Sequence, residues 1–223
     1  MTSPKTLSKA RIVEAEFVAG AKTPGELPPP VGVEIAFAGR SNVGKSSLLN
    51  CLMERRNLVR TSSTPGCTRQ ISLYRTRAAD GVVLTLADLP GYGYAKRSRT
   101  EKRHWADLIE GYLLERPTLR AVVVLVDVRR GIESDDRDLL EMLGSPARTS
   151  RPPLGTLVVA TKLDRLASSA RKPALSKLMR ASGIRALGFS AHTATGRAEL
   201  LGWVRHAAQV GAENAPSGTP PPS

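Results

Sequence analysis

The chain has 223 residues, of which 41% are hydrophobic, and this is enough for one well-buried core of ordinary α/β size with some residues left over. Its 33 Lys and Arg against 20 Asp and Glu give a formal net charge of +13. This charge favours polyanionic partners such as RNA, DNA or an acidic membrane, with a generally basic surface as the alternative. The two cysteines, Cys51 and Cys67, exclude a disulfide framework and a cysteine-rich zinc site.

The two ends of the chain differ in composition from its centre. Residues 1–30 end in ELPPP and carry weak periodicity, so we predict an extension that reaches the domain without belonging to its core. Glu14 and Glu16 interrupt the apolar stretch near the start, and no run approaches the roughly 18 apolar residues of a membrane span, so we expect a cytoplasmic protein. Residues 31–210 form the predicted domain, and residues 211–223 (GAENAPSGTPPPS) are predicted to be a disordered tail.

Between these ends, short apolar runs alternate with helical patterns. A run without alternation, such as AVVVLVD, is typical of a strand that is covered on both faces. The repeated βα order predicts an α/β fold, with a doubly wound, mainly parallel six-stranded sheet, helices on both faces and a ligand site at the carboxyl ends of the strands. The predicted strands are EIAFAG, QISLY, VVLTLAD, AVVVLVD, GTLVVAT and ALGFS, and the predicted helices cover residues 44–54, 105–113 with Pro117 ending that helix, 134–143, 169–181 and 197–209.

A GxxxxGK[ST] loop directly follows the strand EIAFAG and precedes a helical pattern. Its glycines let backbone N–H groups close around phosphate oxygens, and the following helix adds the positive end of its dipole. Lys45 is predicted to reach the β- and γ-phosphates of a nucleotide, and the Ser46 hydroxyl is predicted to ligate Mg²⁺. The predicted phosphate-binding residues are Gly39, Arg40, Ser41, Asn42, Val43, Gly44, Lys45 and Ser46.

A P-loop alone fits ATPases and kinases as well as GTPases, so the motif that reads the base decides between them. The strand GTLVVAT delivers Thr161, Lys162, Leu163 and Asp164 to the edge of the sheet that carries the P-loop. Asp164 can accept two hydrogen bonds from guanine N1–H and the exocyclic amine, which adenine cannot offer. The Lys162 stem is predicted to cover the base. Thr161 stands where many GTPases have Asn, which predicts a weaker contact back to the P-loop; by itself, the motif also fits a solvated loop Asp.

Two further segments have the form of nucleotide switches. Asp88 and Gly91 belong to a DxxG motif, in which Asp88 is predicted to hold Mg²⁺ through a water and the Gly91 N–H to sense the γ-phosphate. Upstream, Thr68 is predicted to be the second direct Mg²⁺ ligand, with Thr61 and Thr64 as competing candidates. The remaining predicted GTP contacts are Gly66, Cys67, Arg69, Gln70, Leu89 and Pro90, together with Phe189, Ser190 and Ala191, where a backbone N–H is predicted to face guanine O6.

These elements occur in the order that a GTPase requires, each at a strand end or in a loop. The residues GRSNVGKSS, TPGCT, DLPGYGYA, TKLD and FSA resemble the EngB family (also called YihA or YsxC) of bacterial GTPases, over roughly residues 12–208. The resemblance implies a Ras-like P-loop GTPase that is needed for assembly of the large (50S) ribosomal subunit and for normal cell division and septation. Cys67 and Arg69 depart from the family pattern in the first switch, and His192 stands where related GTPases often have Lys.

Phosphoryl transfer needs positioning and charge neutralisation, so Lys45, Mg²⁺ and the P-loop amides are predicted to supply most of the catalysis, with Thr68 and Gly91. Ras-like enzymes orient water with a Gln just after DxxG, whereas this chain has Tyr92. We therefore predict slow hydrolysis that is accelerated from outside. One candidate activator is potassium, because GTPases that use it resemble this chain in having Asn at the fourth P-loop position, here Asn42. The alternative is that Asn42 only satisfies a loop amide.

Basic residues cluster in two segments beside these motifs. Residues 92–104 contain five Lys or Arg and one Glu, and residues 165–180 contain five more and no acid. A solvated helix face explains either cluster alone, but together they favour a surface that faces rRNA and changes with GTP. The expected partners are GTP, GDP and the large ribosomal subunit or its precursor, and the expected state is a monomer. One alternative is a nucleotide-gated RNA-binding module in which hydrolysis is incidental; an ATP-dependent kinase is disfavoured by TKLD.

Overall fold

The computed structural model describes residues 10–59, 70–93, 99–146 and 151–213. Within these ranges, the chain forms one mixed seven-stranded sheet with helices on both faces. The strands are β1 (Ile12–Ala21), β2 (Glu34–Gly39), β3 (Ile71–Ala78), β4 (Val83–Asp88), β5 (Leu119–Asp127), β6 (Gly155–Thr161) and β7 (Ala186–Gly188). The helices are α1 (Lys45–Leu52), α2 (Arg99–Glu115), α3 (Ser134–Gly144), α4 (Ser168–Ser182) and α5 (Arg197–Glu213), with short 3-10 helices at Pro24–Glu26 and Leu163–Arg165.

The strand order in the sheet is β1-β3-β4-β2-β5-β6-β7. Strands β4, β2, β5, β6 and β7 run parallel, whereas β3 is antiparallel to both β4 and β1. The central strand β2 is buried along its whole length, which explains its apolar run without alternation. This arrangement confirms the predicted doubly wound α/β class and brings the carboxyl ends of the parallel strands, with the motifs that follow them, to one edge.

The sheet has seven strands instead of the predicted six, because residues 12–21 form β1 at its edge. The β1–β3 pairing is interrupted by two irregularities, one of them between Phe17 and Ala19, and these break the alternation that would reveal a strand in the sequence. Ala10, Ile12 and Ala21 are nevertheless buried. This part of the predicted extension therefore does contribute to the core. At the other end, α5 continues into the predicted tail as far as Glu213, and residues 214–223 lie outside the described ranges.

Two helical layers cover the sheet. Leu48 and Leu52 of α1 and Val204 of α5 pack on one face, and α2, α3 and α4 cover the other. Tyr112 is fully buried and Trp105 packs against the same cluster, so both aromatic residues of α2 contribute to the core. In the described ranges, no helix is long and apolar enough to cross a membrane.

Candidate functional site

The loop between β2 and α1 is held in a tight turn by its small residues. A Cβ at Gly39 would lie 3.0 Å from the Leu125 carbonyl oxygen, so only glycine lets β2 end so close to β5. Asn42 and Gly44 adopt left-handed conformations, with φ of 64° and 103°. Gly44 caps α1 without a side-chain hydrogen bond, and the first turn of α1 carries no acid. The positive end of this helix therefore faces no anionic side chain of its own, an arrangement suited to an anion.

Lys45 and Asp88 form a buried ion pair where β2 and β4 end. The two side chains are 8% and 3% exposed, and Lys45 Nζ contacts Asp88 Oδ1 directly. Asp88 reaches this position because β4 lies beside β2, with Asp88 in register with Phe37. The structure thus brings together the lysine predicted to meet phosphates and the carboxylate predicted to assist Mg²⁺.

The DxxG segment lies against the P-loop. The Leu89 N–H donates to the Phe37 carbonyl at 3.0 Å, and the Ser41 N–H donates to the Tyr92 carbonyl at 2.9 Å. A Cβ at Gly91 would lie 3.1 Å from Ser41 Oγ and 3.2 Å from Ser41 N, so a larger residue would push the two segments apart. A displacement of Gly91 would therefore also move Ser41 of the P-loop.

Tyr92 occupies the sequence position of the water-orienting Gln, but its side chain turns into the protein. Its hydroxyl donates to Asp136 Oδ1 at 2.7 Å, and its ring meets Trp105 edge-on at 6.0 Å between centroids. Burial, followed by the nearby Asp136 carboxylate, raises the pKa of the Tyr92 phenol well above its usual range. The phenol is held by this hydrogen bond to α3 and is not positioned to orient a water at the P-loop.

Arg40, a predicted GTP contact, directs its side chain to α3. Its guanidinium pairs with Glu133 at 3.1 Å and with Asp135 at 3.0 Å. Glu133 and Asp136 form a reciprocal capping box at the start of α3. The backbone of Arg40 stays with the P-loop, whereas its side chain ties that loop to α3. The sequence signal for this link is the acid-rich start of α3.

Thr161 and Lys162 join the base-reading loop to the P-loop. Thr161 Oγ1 donates to the Val43 carbonyl at 2.7 Å in a buried position, so the contact predicted to be weaker is made by the hydroxyl. Lys162 has a left-handed backbone, and its Nζ donates to the Asn42 carbonyl at 2.8 Å. Two loops that lie more than a hundred residues apart in sequence are therefore fixed relative to each other.

Asp164 is oriented by the last loop of the domain. Ser190 Oγ donates to Asp164 Oδ1 at 2.7 Å, and this hydrogen bond holds the pKa of Asp164 below its usual range. Arg165 Nε lies 3.6 Å from the other carboxylate oxygen, too far for a strong hydrogen bond. The carboxylate therefore stays ionised, and it can still accept further hydrogen bonds. Phe189 is buried, and Ala191 is exposed.

Asp127 at the end of β5 is a site residue that the sequence analysis missed. Its Oδ2 lies 3.0 Å from Lys162 Nζ and 2.7 Å from Arg129 Nη2. Burial acts to raise the pKa of Asp127, but hydrogen bonds from Arg129 and Lys162 outweigh it and hold this pKa well below the usual range. These residues, with Arg40 and Asn42, line a cleft of about 270 Å³ beside the P-loop. An acid at the carboxyl end of a buried strand is the sequence signal that could have revealed it.

Several predicted contacts fall outside the described residues. The first-switch residues Thr61, Thr64, Gly66, Cys67, Thr68 and Arg69 lie in the range 60–69, which the structure does not describe. Gln70 follows it, and its Nε2 lies 3.4 Å from Ser72 Oγ at the edge of the sheet. Most of the basic residues of the 92–104 cluster likewise lack described side chains.

Mg²⁺ takes oxygen ligands and commonly uses one or two protein groups together with substrate phosphates. Ser46, on the first turn of α1, and Asp88, buried beside Lys45, supply a donor set of this kind. Among the described residues, no group of three or more His, Cys, Asp or Glu could hold a metal without such phosphates. The residues fit a nucleotide-linked Mg²⁺ site and not a metal centre built by the protein alone.

Comparison with known proteins places this geometry in a family. Residues 34–162 match the family described as 50S ribosome-binding GTPase. The probable GTP-binding protein EngB of Anaeromyxobacter dehalogenans (strain 2CP-C) is 43% identical over 221 residues, which cover 96% of this chain and 99% of that protein. The probable GTP-binding protein EngB of Desulforapulum autotrophicum is 41% identical over 192 residues, covering 85% of this chain and 94% of that protein.

Solved structures show the same fold. A crystal structure of a probable GTP-binding protein engB has a TM-score of 0.62 at 21% identity, over 80% of this chain and all of that one. Era, solved with MgGDPNP and nucleotides 1506–1542 of 16S ribosomal RNA, has a TM-score of 0.63 at 21% identity, over 87% of this chain and 60% of that one. The matched family and the relatives above 40% identity show that the chain belongs to the EngB family of GTP-binding proteins and is a GTPase.

Proposed function

We propose that this GTPase is a nucleotide switch in assembly of the large ribosomal subunit, with the requirement in cell division and septation that the family resemblance implies. The observation that carries the proposal is the locking of the P-loop to both the DxxG segment and the base-reading loop. In a site built in this way, a movement of the DxxG segment at the γ-phosphate is transmitted through the P-loop to the loop that contacts the base. The matched family is described as ribosome-binding, and this supports the choice of partner. A ribosomal role would place the protein in the cytoplasm.

In this proposal, the phosphates occupy the turn between β2 and α1. Lys45 binds the β- and γ-phosphates, exchanging its pairing with Asp88 for the new anions. Bound Mg²⁺ would neutralise phosphate charge, with Ser46 and Thr68 as direct ligands and Asp88 acting through a water. The start of α1 supports this assignment: Lys45 is buried there and, among the described residues, no side-chain hydrogen bond caps the helix, and desolvated donors with a helix dipole bind anions strongly.

The base lies between Lys162 and the loop that carries Asp164. The Asp164 carboxylate accepts from guanine N1–H and the exocyclic amine, and the backbone around Ala191 meets guanine O6. The Ser190–Asp164 hydrogen bond supports this assignment, since it keeps the carboxylate ionised and fixes its rotation. Competition between labelled GDP and unlabelled ATP or GTP tests it, and equal competition by ATP would contradict the assignment.

Intrinsic hydrolysis is slow, because the Tyr92 hydroxyl is hydrogen-bonded to Asp136 and does not position the attacking water. We propose that potassium supplies part of the missing charge stabilisation through Asn42, an exposed residue of the P-loop with a left-handed backbone. Turnover in potassium and sodium salts, with and without ribosomal particles, tests this. Faster turnover in potassium that Asn42→Ala abolishes supports the proposal, and identical rates in both salts leave Asn42 with only a structural role.

The partner is recognised in the GTP state. Gly91 lies against Ser41, so we expect a γ-phosphate to order the DxxG segment together with the P-loop, and to order Thr68 as well. In this proposal, the switch presents Lys96, Arg97 and Arg99, whose side chains lie outside the described residues, to the partner. Era, which shares the fold, has been solved with a ribosomal RNA fragment. Sedimentation of the protein with large ribosomal subunits tests the switch, using a non-hydrolysable GTP analogue and GDP. Stronger co-sedimentation with the analogue is expected, and indifference to the nucleotide would contradict it.

A second candidate function is a nucleotide-gated binding module in which hydrolysis is incidental. The buried Tyr92 favours it, since the site lacks an obvious group that orients the attacking water. Single-turnover hydrolysis measured with and without large-subunit particles separates the two. Acceleration by the particles supports the GTPase switch, and unchanged turnover with intact binding supports the module.

A further inference from the structure

Helix α4 and its flanking loops carry positive charge without any acid. Between residues 165 and 185 there are six Lys or Arg and no Asp or Glu. The segment follows the base-reading motif directly and ends at the loop before β7. The six cations of this basic face are Arg165, Arg171, Lys172, Lys177, Arg180 and Arg185.

The charge of the basic face is largely uncompensated. Lys172, Lys177, Arg180 and Arg185 are exposed, and none of them forms an ion pair within the described ranges. Arg171 is half-buried and donates to the Leu166 carbonyl. Several cations elsewhere are paired: Arg11, Arg40, Arg77, Arg116, Arg129 and Arg205 each contact a carboxylate.

The neighbouring helix has the opposite composition. Helix α3 borders the same apolar cluster as α4: Leu178 of α4 belongs to this cluster, and Leu140 of α3 packs against it. The sequence of α3, SDDRDLLEMLG, has four acids and a single arginine. Positive charge is therefore concentrated on α4, and it does not simply reflect the basic composition of the whole chain.

The spacing of the cations suits a backbone of phosphates. Leu178 points into the core, whereas Lys172 and Arg180 are exposed at positions eight residues apart, about 12 Å along the helix. Met179 is the exposed large apolar side chain that α4 offers, and it is 39% exposed. A helix that lies in a membrane needs an apolar face, and single-stranded RNA needs aromatic stacking platforms, neither of which α4 supplies.

We propose that the basic face of α4 binds the phosphate backbone of double-stranded ribosomal RNA, and that it does so equally in the GTP and GDP states. The choice of RNA rests on the proposed function. Duplex RNA is recognised largely through its shape and phosphates, which a row of lysines and arginines can meet. The helix follows the loop that reads the base and not the segments that sense the γ-phosphate. It therefore acts as a constant anchor, to which the switch adds nucleotide dependence.

The test measures binding of the full chain to a fluorescent RNA duplex of about 20 base pairs by anisotropy, in salt from about 50 to about 200 mM. The test variant combines Lys172→Gln, Lys177→Gln and Arg180→Gln. We expect about tenfold weaker binding at the lowest salt, and a slope of log affinity against log salt reduced by about two to three. A matched control combines Arg56→Gln, Arg75→Gln and Arg137→Gln, which removes the same charge from exposed cations on other surfaces without ion pairs among the described residues. Its binding should stay within about twofold of the original.

Equal losses in the two triple variants would overturn the proposal, because only total charge would then matter. Binding of the test variant to the duplex that matches the unaltered protein, together with lost binding to phosphatidylglycerol vesicles, would also overturn it in favour of a membrane. Unchanged GTP affinity in the test variant shows that its fold is intact. Preserved GTP affinity with the reduced slope in both nucleotide states supports it. This result would stand even if co-sedimentation with large subunits proved indifferent to nucleotide, which would defeat the switch alone.

Discussion

Two buried ion pairs lie at opposite ends of β2, and they differ in how fully they are satisfied. At the carboxyl end, Lys45 and Asp88 are 8% and 3% exposed; at the amino end, Arg116 and Glu34 are 8% and 2% exposed. The Glu34 carboxylate accepts from Arg116 at 2.7 Å, from Tyr112 at 2.6 Å and from Thr118 at 2.8 Å. Arg116 also donates to the Pro28 carbonyl at 2.8 Å.

The pair at the site has far fewer partners. Lys45 carries three donors, and the described residues supply it with the side chain of Asp88 alone. A buried charge with unused donors is costly unless another group completes its shell. The two pairs are equally buried but differ in function. The Glu34–Arg116 cluster is closed, meaning that its charged groups are satisfied by partners within the protein, and it stabilises the fold. The Lys45–Asp88 pair is open, meaning that Lys45 keeps unused donors, and it fits a ligand with its own negative charge.

Breaking the closed pair should have the largest effect on stability. Glu34→Ala leaves Arg116 buried without its carboxylate and also removes the acceptor of Tyr112 and Thr118, so we expect a loss of about 3–5 kcal/mol in the free energy of unfolding. Urea unfolding measures it, with Glu141→Ala on the exposed surface of α3 as the control, expected within about 0.5 kcal/mol of the original. GTP affinity per folded molecule should not change; a large drop in that affinity would mean that the two ends of β2 are not separable.

Breaking the open pair should act mainly on ligand binding. Lys45→Met removes a charged donor from the phosphates, so we expect GTP affinity to fall on the order of a hundredfold, as for a charge-assisted hydrogen bond worth about 1.5–3 kcal/mol. The loss of unfolding free energy should be smaller than for Glu34→Ala, because fewer partners are orphaned. Calorimetric titration with GTP measures the first effect, and Lys177→Met on α4 is the control. Unchanged affinity would remove Lys45 from the site.

The base end extends the comparison to a carboxylate that is open toward solvent. Asp164→Asn should shift preference from guanine to xanthine nucleotides, because a donor then faces the base edge. Ser190→Ala should keep guanine preference but weaken GDP binding about tenfold, since it removes a hydrogen bond to a charged group.

The same hydrogen bond gives a pH dependence. Ser190 holds the pKa of Asp164 low, so the ionised carboxylate persists to lower pH in the original protein than in Ser190→Ala. The ratio of the two GDP affinities should therefore grow as pH falls toward the usual pKa of Asp, near 4. Using the ratio cancels titration of the nucleotide itself. A ratio that is flat with pH would show that Ser190 acts by position alone.

The sequence predicts the fold where burial is uniform and fails where it is partial. Strands β2, β5 and β6 were found because both faces are covered, and α2 was found because its apolar positions recur before Pro117. Strand β1 was missed, since an irregular edge strand shows no clean alternation and the prolines at 28–30 resemble a linker. Its pairing with β3 depends on chain segments some sixty residues apart, which no local pattern records.

The site divides in a similar way. Motifs located Lys45, Asp88 and Asp164, because phosphate and base chemistry fixes residue types at set spacings. They did not reveal that the Tyr92 hydroxyl donates to Asp136, or that the Ser190 hydroxyl donates to Asp164. These links join separate loops through side chains, and their geometry is decided by packing between helices and strands.

The smallest predicted effect concerns Asp127. Its carboxylate has two side-chain partners, Lys162 and Arg129, which places it between the open pair and the Glu34 carboxylate with its three partners. Its carboxylate fixes Lys162, which is 32% exposed and also bonds the Asn42 carbonyl, so the lysine keeps one anchor when Asp127 is lost. Asp127→Asn should weaken GDP binding about threefold, the scale of a partly exposed ion pair. Fluorescence titration with a labelled GDP measures it, and Asp138→Asn on α3 serves as the surface control. If Asp127 acts through Lys162, then Asp127→Asn should add nothing in a Lys162→Ala background. An equal loss in both backgrounds would show that Asp127 acts by a route independent of the lysine, for example through its pairing with Arg129 in the cleft beside the P-loop.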